Sequence, residues 1–166
     1  MDAEIALLRI LHILPGVIWV GSAIFVAWIV QPALKKTGPP HVGALMGNML
    51  KPLMMILHGS AAATILFGVV MAFRVRDPLF DYLWSTDWGT MIWLGFVLSV
   101  VGWGVGAFAG ITNKKMAGIG ASLQGPPSPE QGAEMARLRD RAILFAKVGS
   151  LLALAAVVCM ALANHV

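Results

Sequence analysis

Apolar residues dominate four long stretches of the chain: Ile5–Leu34, Pro52–Phe73, Met91–Ile111 and Ala142–Ala163. Each reaches the roughly 20 residues a helix needs to cross a bilayer. No stretch alternates apolar and polar residues with period two, so the spans read as helices and not as strands of a barrel. Lys36-Thr37-Gly38-Pro39-Pro40 breaks the chain after the first span. Gly125-Pro126-Pro127-Ser128-Pro129-Glu130 breaks it again before the fourth. Ser128 followed by Pro129 has the form of an N-cap and first helical position. This predicts a helix from near Pro129, charged over 129–141, that runs into the fourth span. Residues Asp77 to Trp84 predict a short interfacial helix, and Tyr82, Trp84 and Trp88 suit an aromatic belt at the outer face. The pattern as a whole predicts an all-α, transmembrane four-helix bundle of up-down topology, with 1–166 forming a single domain.

Composition narrows the class. The chain has 166 residues, 58% hydrophobic and 12% charged, with a mean hydropathy of +0.81. Soluble domains carry about 25% charged residues, and disordered chains need low hydrophobicity. Neither class fits. Four spans use about half of the chain, which leaves connections but no room for a separate catalytic domain. The start, Met1-Asp2-Ala3-Glu4, is acidic, unlike the positive region that opens a secretory signal. The first span is therefore expected to be retained. The single cysteine, Cys159, excludes an internal disulfide framework. It also excludes a cysteine-rich zinc site or an iron–sulfur cluster held by this chain alone.

The net charge is +4, and its placement gives an orientation. Lys35, Lys36, Lys51, Lys114, Lys115, Arg137, Arg139 and Arg141 flank the first and third loops; Arg9, Arg74 and Arg76 lie on the other side. The positive-inside rule puts those two loops in the cytoplasm and both termini outside. The basic charge thus reads as membrane topology, with no nucleic-acid partner expected. The localisation expected is a bacterial inner membrane.

Polar groups inside a bilayer are costly, so each is a functional candidate. His12 lies in Leu11-His12-Ile13-Leu14-Pro15-Gly16-Val17-Ile18-Trp19-Val20-Gly21. Gly16, Trp19 and Ala23 continue its face at helical spacing, and Pro15 removes a helical donor and is expected to kink the span. His58 lies in Met54-Met55-Ile56-Leu57-His58-Gly59-Ser60, among small residues. Two membrane histidines on neighbouring helices are a means of holding haem b, since neutral imidazole ligates iron and a bundle core shields the macrocycle. Arg9, one turn before His12, and Lys51, two turns before His58, are the candidates for propionates. The depths differ: by helical rise each histidine lies roughly 10 Å from its own membrane edge, which leaves about 10 Å between them in a 30 Å core. Either the second span begins earlier, over Val42–Leu50, or each histidine serves its own site. Second ligands would then be Met71, Met160 or His165 at the outer level, and Met54, Met116 or His41 at the inner level. The competing structural reading is that both histidines simply hydrogen-bond neighbouring helices.

Copper is the alternative metal. Met46, Met49, Met54 and Met55 lie along the segment of His58, and thioethers with imidazole suit Cu(I). Methionine is also a common filler of apolar packing. Lys147 lies six residues past Arg141 and is expected to snorkel to the cytoplasmic surface. The third span has no ionisable residue between Asp87 and Lys114, but carries Gly102, Gly106 and Gly110 at four-residue spacing. Such a stripe lets another helix approach closely.

The string Leu11-His12-Ile13-Leu14-Pro15-Gly16-Val17-Ile18-Trp19-Val20-Gly21-Ser22-Ala23 resembles the histidine–tryptophan–glycine pattern of small CopD-like membrane proteins. It is also similar to the first helix of HemJ-type protoporphyrinogen oxidases, and the close of the fourth span looks like the same group. The resemblance implies a four-helix bundle, with copper passage for the CopD branch and a b-type haem on His12 for the HemJ branch. The basic residue of the third HemJ-type span has no counterpart here. The reading is a haem b-binding membrane protein that moves electrons to or from a quinone or another redox subunit. His12 and His58 would be axial ligands, and Arg9 and Lys51 propionate partners. Copper transport, porphyrinogen oxidation and a cofactor-free subunit of a larger complex or homo-oligomer are the alternatives.

Overall fold

The computed structural model describes residues 3–37, 39–163 and 165. Among them every regular element is helical. The first span is a continuous rod built of α1 (Ala3–Phe25), a five-residue π-helical segment (Val26–Val30) and α2 (Gln31–Lys36). Then follow α3 (Pro39–Val75), the short α4 (Leu79–Ser85), α5 (Asp87–Ser122) and α6 (Pro129–Leu162). Four rods are long and apolar enough to cross a membrane: Ala3–Lys36, Leu45–Val75, Asp87–Ser122 and Pro129–Leu162.

The helices outrun the apolar windows that predict them. Polar residues such as Asn113 and Lys114 continue a helix already nucleated, because each further residue adds a hydrogen bond at little entropic cost. Pro52, the expected start of the second span, lies inside α3. Pro15 lies inside α1, and an irregular turn follows at Val26–Val30. Directly after that wide turn Gln31 is buried. Within it Trp28 donates its indole N–H to Ser150 Oγ on α6 at 3.1 Å.

Helix starts follow local chemistry. Thr86 Oγ1 accepts from Gly89 N at 3.0 Å to open α5. Ser128 caps α6 as its sequence predicts, and Gln131 returns a bond to the Ser128 N–H at 2.9 Å. The two bonds satisfy helix-end donors reciprocally.

The bundle is two tightly packed pairs, α1 with α3 and α5 with α6. In the first pair the chains run antiparallel, since Glu4 meets Arg74 at 3.2 Å while His12 meets Thr64 at 2.7 Å. In the second pair glycines set the approach. A methyl group at Gly149 would stand 3.0 Å from both Gly102 O and Gly106 N. Trp19, Val20, Ala61 and Ala153 form the centre where the pairs meet, with Ile24, Leu57, Ile65 and Trp103 packed around them. Outward positions such as Leu14, Val17, Leu66 and Leu144 are large, apolar and more than half exposed. That is an apolar exterior suited to lipid contact, with small residues reserved for helix contacts. At one end Arg76 lies over the rings of Tyr82 and Trp88, 5.3 and 5.4 Å from their centroids.

Candidate functional sites within the bundle

His12 and His58 are held in opposite hydrogen-bonding states. His12 Nδ1 lies 2.7 Å from the carbonyl oxygen of Thr64. A carbonyl only accepts, so Nδ1 carries the proton and, in the neutral ring, Nε2 keeps its lone pair. Thr64 turns its hydroxyl away, donating it to Ser60 O at 2.8 Å. Gly68 makes room for the imidazole: a methyl group there would lie 2.8 Å from His12 Cε1 and Nδ1.

His58 is the reverse. Trp103 Nε1 lies 2.8 Å from His58 Nδ1, and an indole nitrogen can only donate. His58 Nδ1 therefore accepts, and the proton of the neutral ring sits on Nε2. A metal bound at Nε2 would displace that proton onto Nδ1, into the Trp103 N–H.

The two imidazoles do not share one site. Thr64 and His58 are six residues apart on α3, which is about 9 Å of helical rise. His12 is also absent from the lining of the cavity that His58 faces. One iron with both rings axial does not fit this arrangement; of the two rings, His12 is the one whose unbonded nitrogen keeps a lone pair. Arg9 is exposed one turn before His12, and Lys51 is exposed on α3 two turns before His58. Of the outer second-ligand candidates, Met160 packs over Gly95 and His165 is exposed. Met71 lies three residues past Gly68 and is half-buried. The His41 side chain lies outside the described residues.

The His58 cavity measures ≈ 60 Å³ and lies between the two helix pairs, toward the end that carries Lys35 and Lys36. Met46, Met49 and Met54 line it together with His58, while Met55 points away and is 67% exposed. Gln31, Trp103, Asn113 and Ser150 supply its other polar groups. Asn113 is only 5% exposed, and its Oδ1 has no hydrogen-bond partner among the described residues. Gly110 lets the wall close: a methyl group there would stand 2.6 Å from Met54 Sδ and 3.9 Å from His58 Nε2. Among the described residues no three His, Cys, Asp or Glu side chains converge on a point.

Lys147 occupies a third polar place. Its Nζ sits 4.7 Å from the centroid of the Trp28 ring. Nearby, Lys35 on α2 pairs with Asp140 on α6 at 2.9 Å.

Trp103, Asn113, Gln31, Thr64 and Ser150 are not conspicuous as sequence candidates. Asn113 had a signal: it extends the Gly102, Gly106, Gly110 face by a further three residues. No protein-family model matches the chain, and comparison with curated proteins and with solved structures finds no match.

Proposed function

We propose that this protein binds haem b in a bacterial inner membrane, with both termini outside, and passes electrons to or from a quinone or a neighbouring redox subunit. The observation that carries the reading is the hydrogen bond from His12 Nδ1–H to Thr64 O. Ligating imidazoles almost always donate their other ring N–H in this way, which fixes the tautomer and raises ligand basicity. The group supplies a reversible one-electron change at its iron when bound. The chain's part is orientation and burial. His12 offers Nε2, Thr64 holds the ring, and Gly68 gives the ring its place. Arg9, one turn away, offers a cation to a propionate. His58 remains engaged with Trp103 in this reading, and Lys51 has no part at His12.

An absorbance spectrum of the purified protein tests it. A Soret band and a reduced α-band are expected, lost in His12→Ala and kept in His58→Ala. A colourless protein with no extractable haem would overturn the proposal.

A copper site is the second reading, and the observation in its favour is the Met46, Met49 and Met54 lining of one cavity. It predicts bound Cu(I) without porphyrin, and loss of that copper when Met49 and Met54 are both changed to Leu.

A further inference from the structure

Lys147 stands on an apolar face of α6. Leu144, three residues before it, is 58% exposed, and Leu151, four residues after it, is 51% exposed. Residues at these spacings share a helix face, so the ammonium belongs to the apolar outer surface of the bundle. Its aromatic neighbour Trp28 is also on that surface, and the Lys147 ammonium lies against the Trp28 ring. Among the described residues no carboxylate pairs with Lys147. A cation–π contact softens the loss of water but leaves the charge uncompensated. A lysine held among lipid-facing leucines calls for an anion supplied from outside the chain.

The surroundings describe that anion. Lys147, Lys35, Asp140, Pro32, Ile143 and Leu144 line one open groove between α2 and α6, ≈ 380 Å³ in volume. Its carboxylate, Asp140, already pairs with Lys35. Two lysines and one aspartate leave one net positive charge. The groove therefore matches a single negative charge and offers no unpaired carboxylate to a headgroup ammonium. Pro32, Ile143 and Leu144 give the same groove an apolar wall. It lies at the end of the bundle rich in lysine and arginine, where the leaflet facing the protein's positive side carries anionic lipid.

We propose that the α2–α6 groove is a binding site for an anionic glycerophospholipid, with Lys147 and Lys35 holding the phosphodiester and Ile143, Leu144 and Pro32 packing against the glycerol and first acyl carbons. The site is independent of any cofactor at His12.

Native mass spectrometry of the purified protein in mixed phosphatidylglycerol and phosphatidylcholine tests the site. The wild type retains phosphatidylglycerol in preference to phosphatidylcholine, and Lys147→Gln lowers that preference about fivefold, the scale of one lysine near a charged leaflet. Lys147→Arg keeps the preference, and so does Lys51→Gln, which removes a lysine from the same end but outside the groove. A circular dichroism spectrum unchanged in Lys147→Gln separates lost binding from lost fold. Equal retention of the two lipids by the wild type overturns the proposal, as does an undiminished preference in Lys147→Gln. Displacement of phosphatidylglycerol by inorganic phosphate would also overturn it, because the site would then be one for a free anion.

Discussion

Trp103 on α5 donates its indole N–H to Nδ1 of His58 on α3, 2.8 Å away. The donor has no alternative role, so this one bond decides where the His58 proton resides. It makes His58 a donor into the cavity, while His12, bonded through Nδ1–H to Thr64 O, presents a lone pair.

In the protein labelled with ¹⁵N-histidine, nitrogen shifts at neutral pH should show His58 as the Nε2–H form and His12 as the Nδ1–H form. Trp103→Phe should release His58 into a mixture of forms and cost about 1 kcal/mol, the usual worth of one such bond. Finding His58 already in the Nδ1–H form would refute the assignment.

Gly68 should be intolerant of a side chain. A methyl group at that position would press on the His12 ring at 2.8 Å. The ring would have to leave Thr64, so Gly68→Ala should destabilise by about 1–3 kcal/mol, as overpacking does. It should also shift the His12 nitrogen resonances. Gly59 on the same helix has nothing within 4 Å of its potential methyl group, so Gly59→Ala should stabilise by about 0.5–1 kcal/mol through helix propensity. Reversible unfolding of the two variants side by side checks the contrast.

The contact between α5 and α6 makes a sharper version of the same argument. At Gly149 a methyl group would meet the backbone of Gly102 and Gly106 at 3.0 Å, and backbone cannot rotate aside. The helices would have to separate, so Gly149→Ala should cost about 1–3 kcal/mol. Gly104 faces open space, and Gly104→Ala should stabilise by about 0.5–1 kcal/mol, as at Gly59. Equal stabilities for the two variants would contradict the close approach.

These predictions show where the sequence is legible and where it stops. The four spans follow from apolar length, because a bilayer imposes one requirement on every helix that crosses it. The start of α6 is legible too, since Ser128 followed by Pro129 already has the form of a cap and first helical position; the returning bond from Gln131 is visible only in the fold. The π-helical turn at Val26–Val30 is not, because nothing in Val-Ala-Trp-Ile-Val differs from an ordinary apolar helix; the bond from Trp28 within it to Ser150 spans 122 positions and is visible only in the fold. The histidines are conspicuous as residues, but their roles depend on partners 52 and 45 positions away. Sequence spacing on one helix carries no information about those partners.

Asn113 gives the last prediction. It is 5% exposed, its Oδ1 has no partner among the described residues, and it lines the cavity that His58 faces. A buried acceptor left unpaired costs about 1–3 kcal/mol. Leucine has the same branched skeleton as asparagine with apolar ends, and the ≈ 60 Å³ cavity leaves space for its bulkier methyl groups. Asn113→Leu should therefore raise the unfolding free energy by about 1 kcal/mol. The gain should be present in detergent and in bilayers alike, because the residue faces the bundle interior. If instead the variant loses stability by a comparable amount, Oδ1 is satisfied in the membrane by something the cavity holds, such as ordered water, which needs only about 10–15 Å³ and two to four polar partners. His58 Nε2–H and Asn113 are two such partners. The sign of the change thus reads out whether the cavity is dry or hydrated.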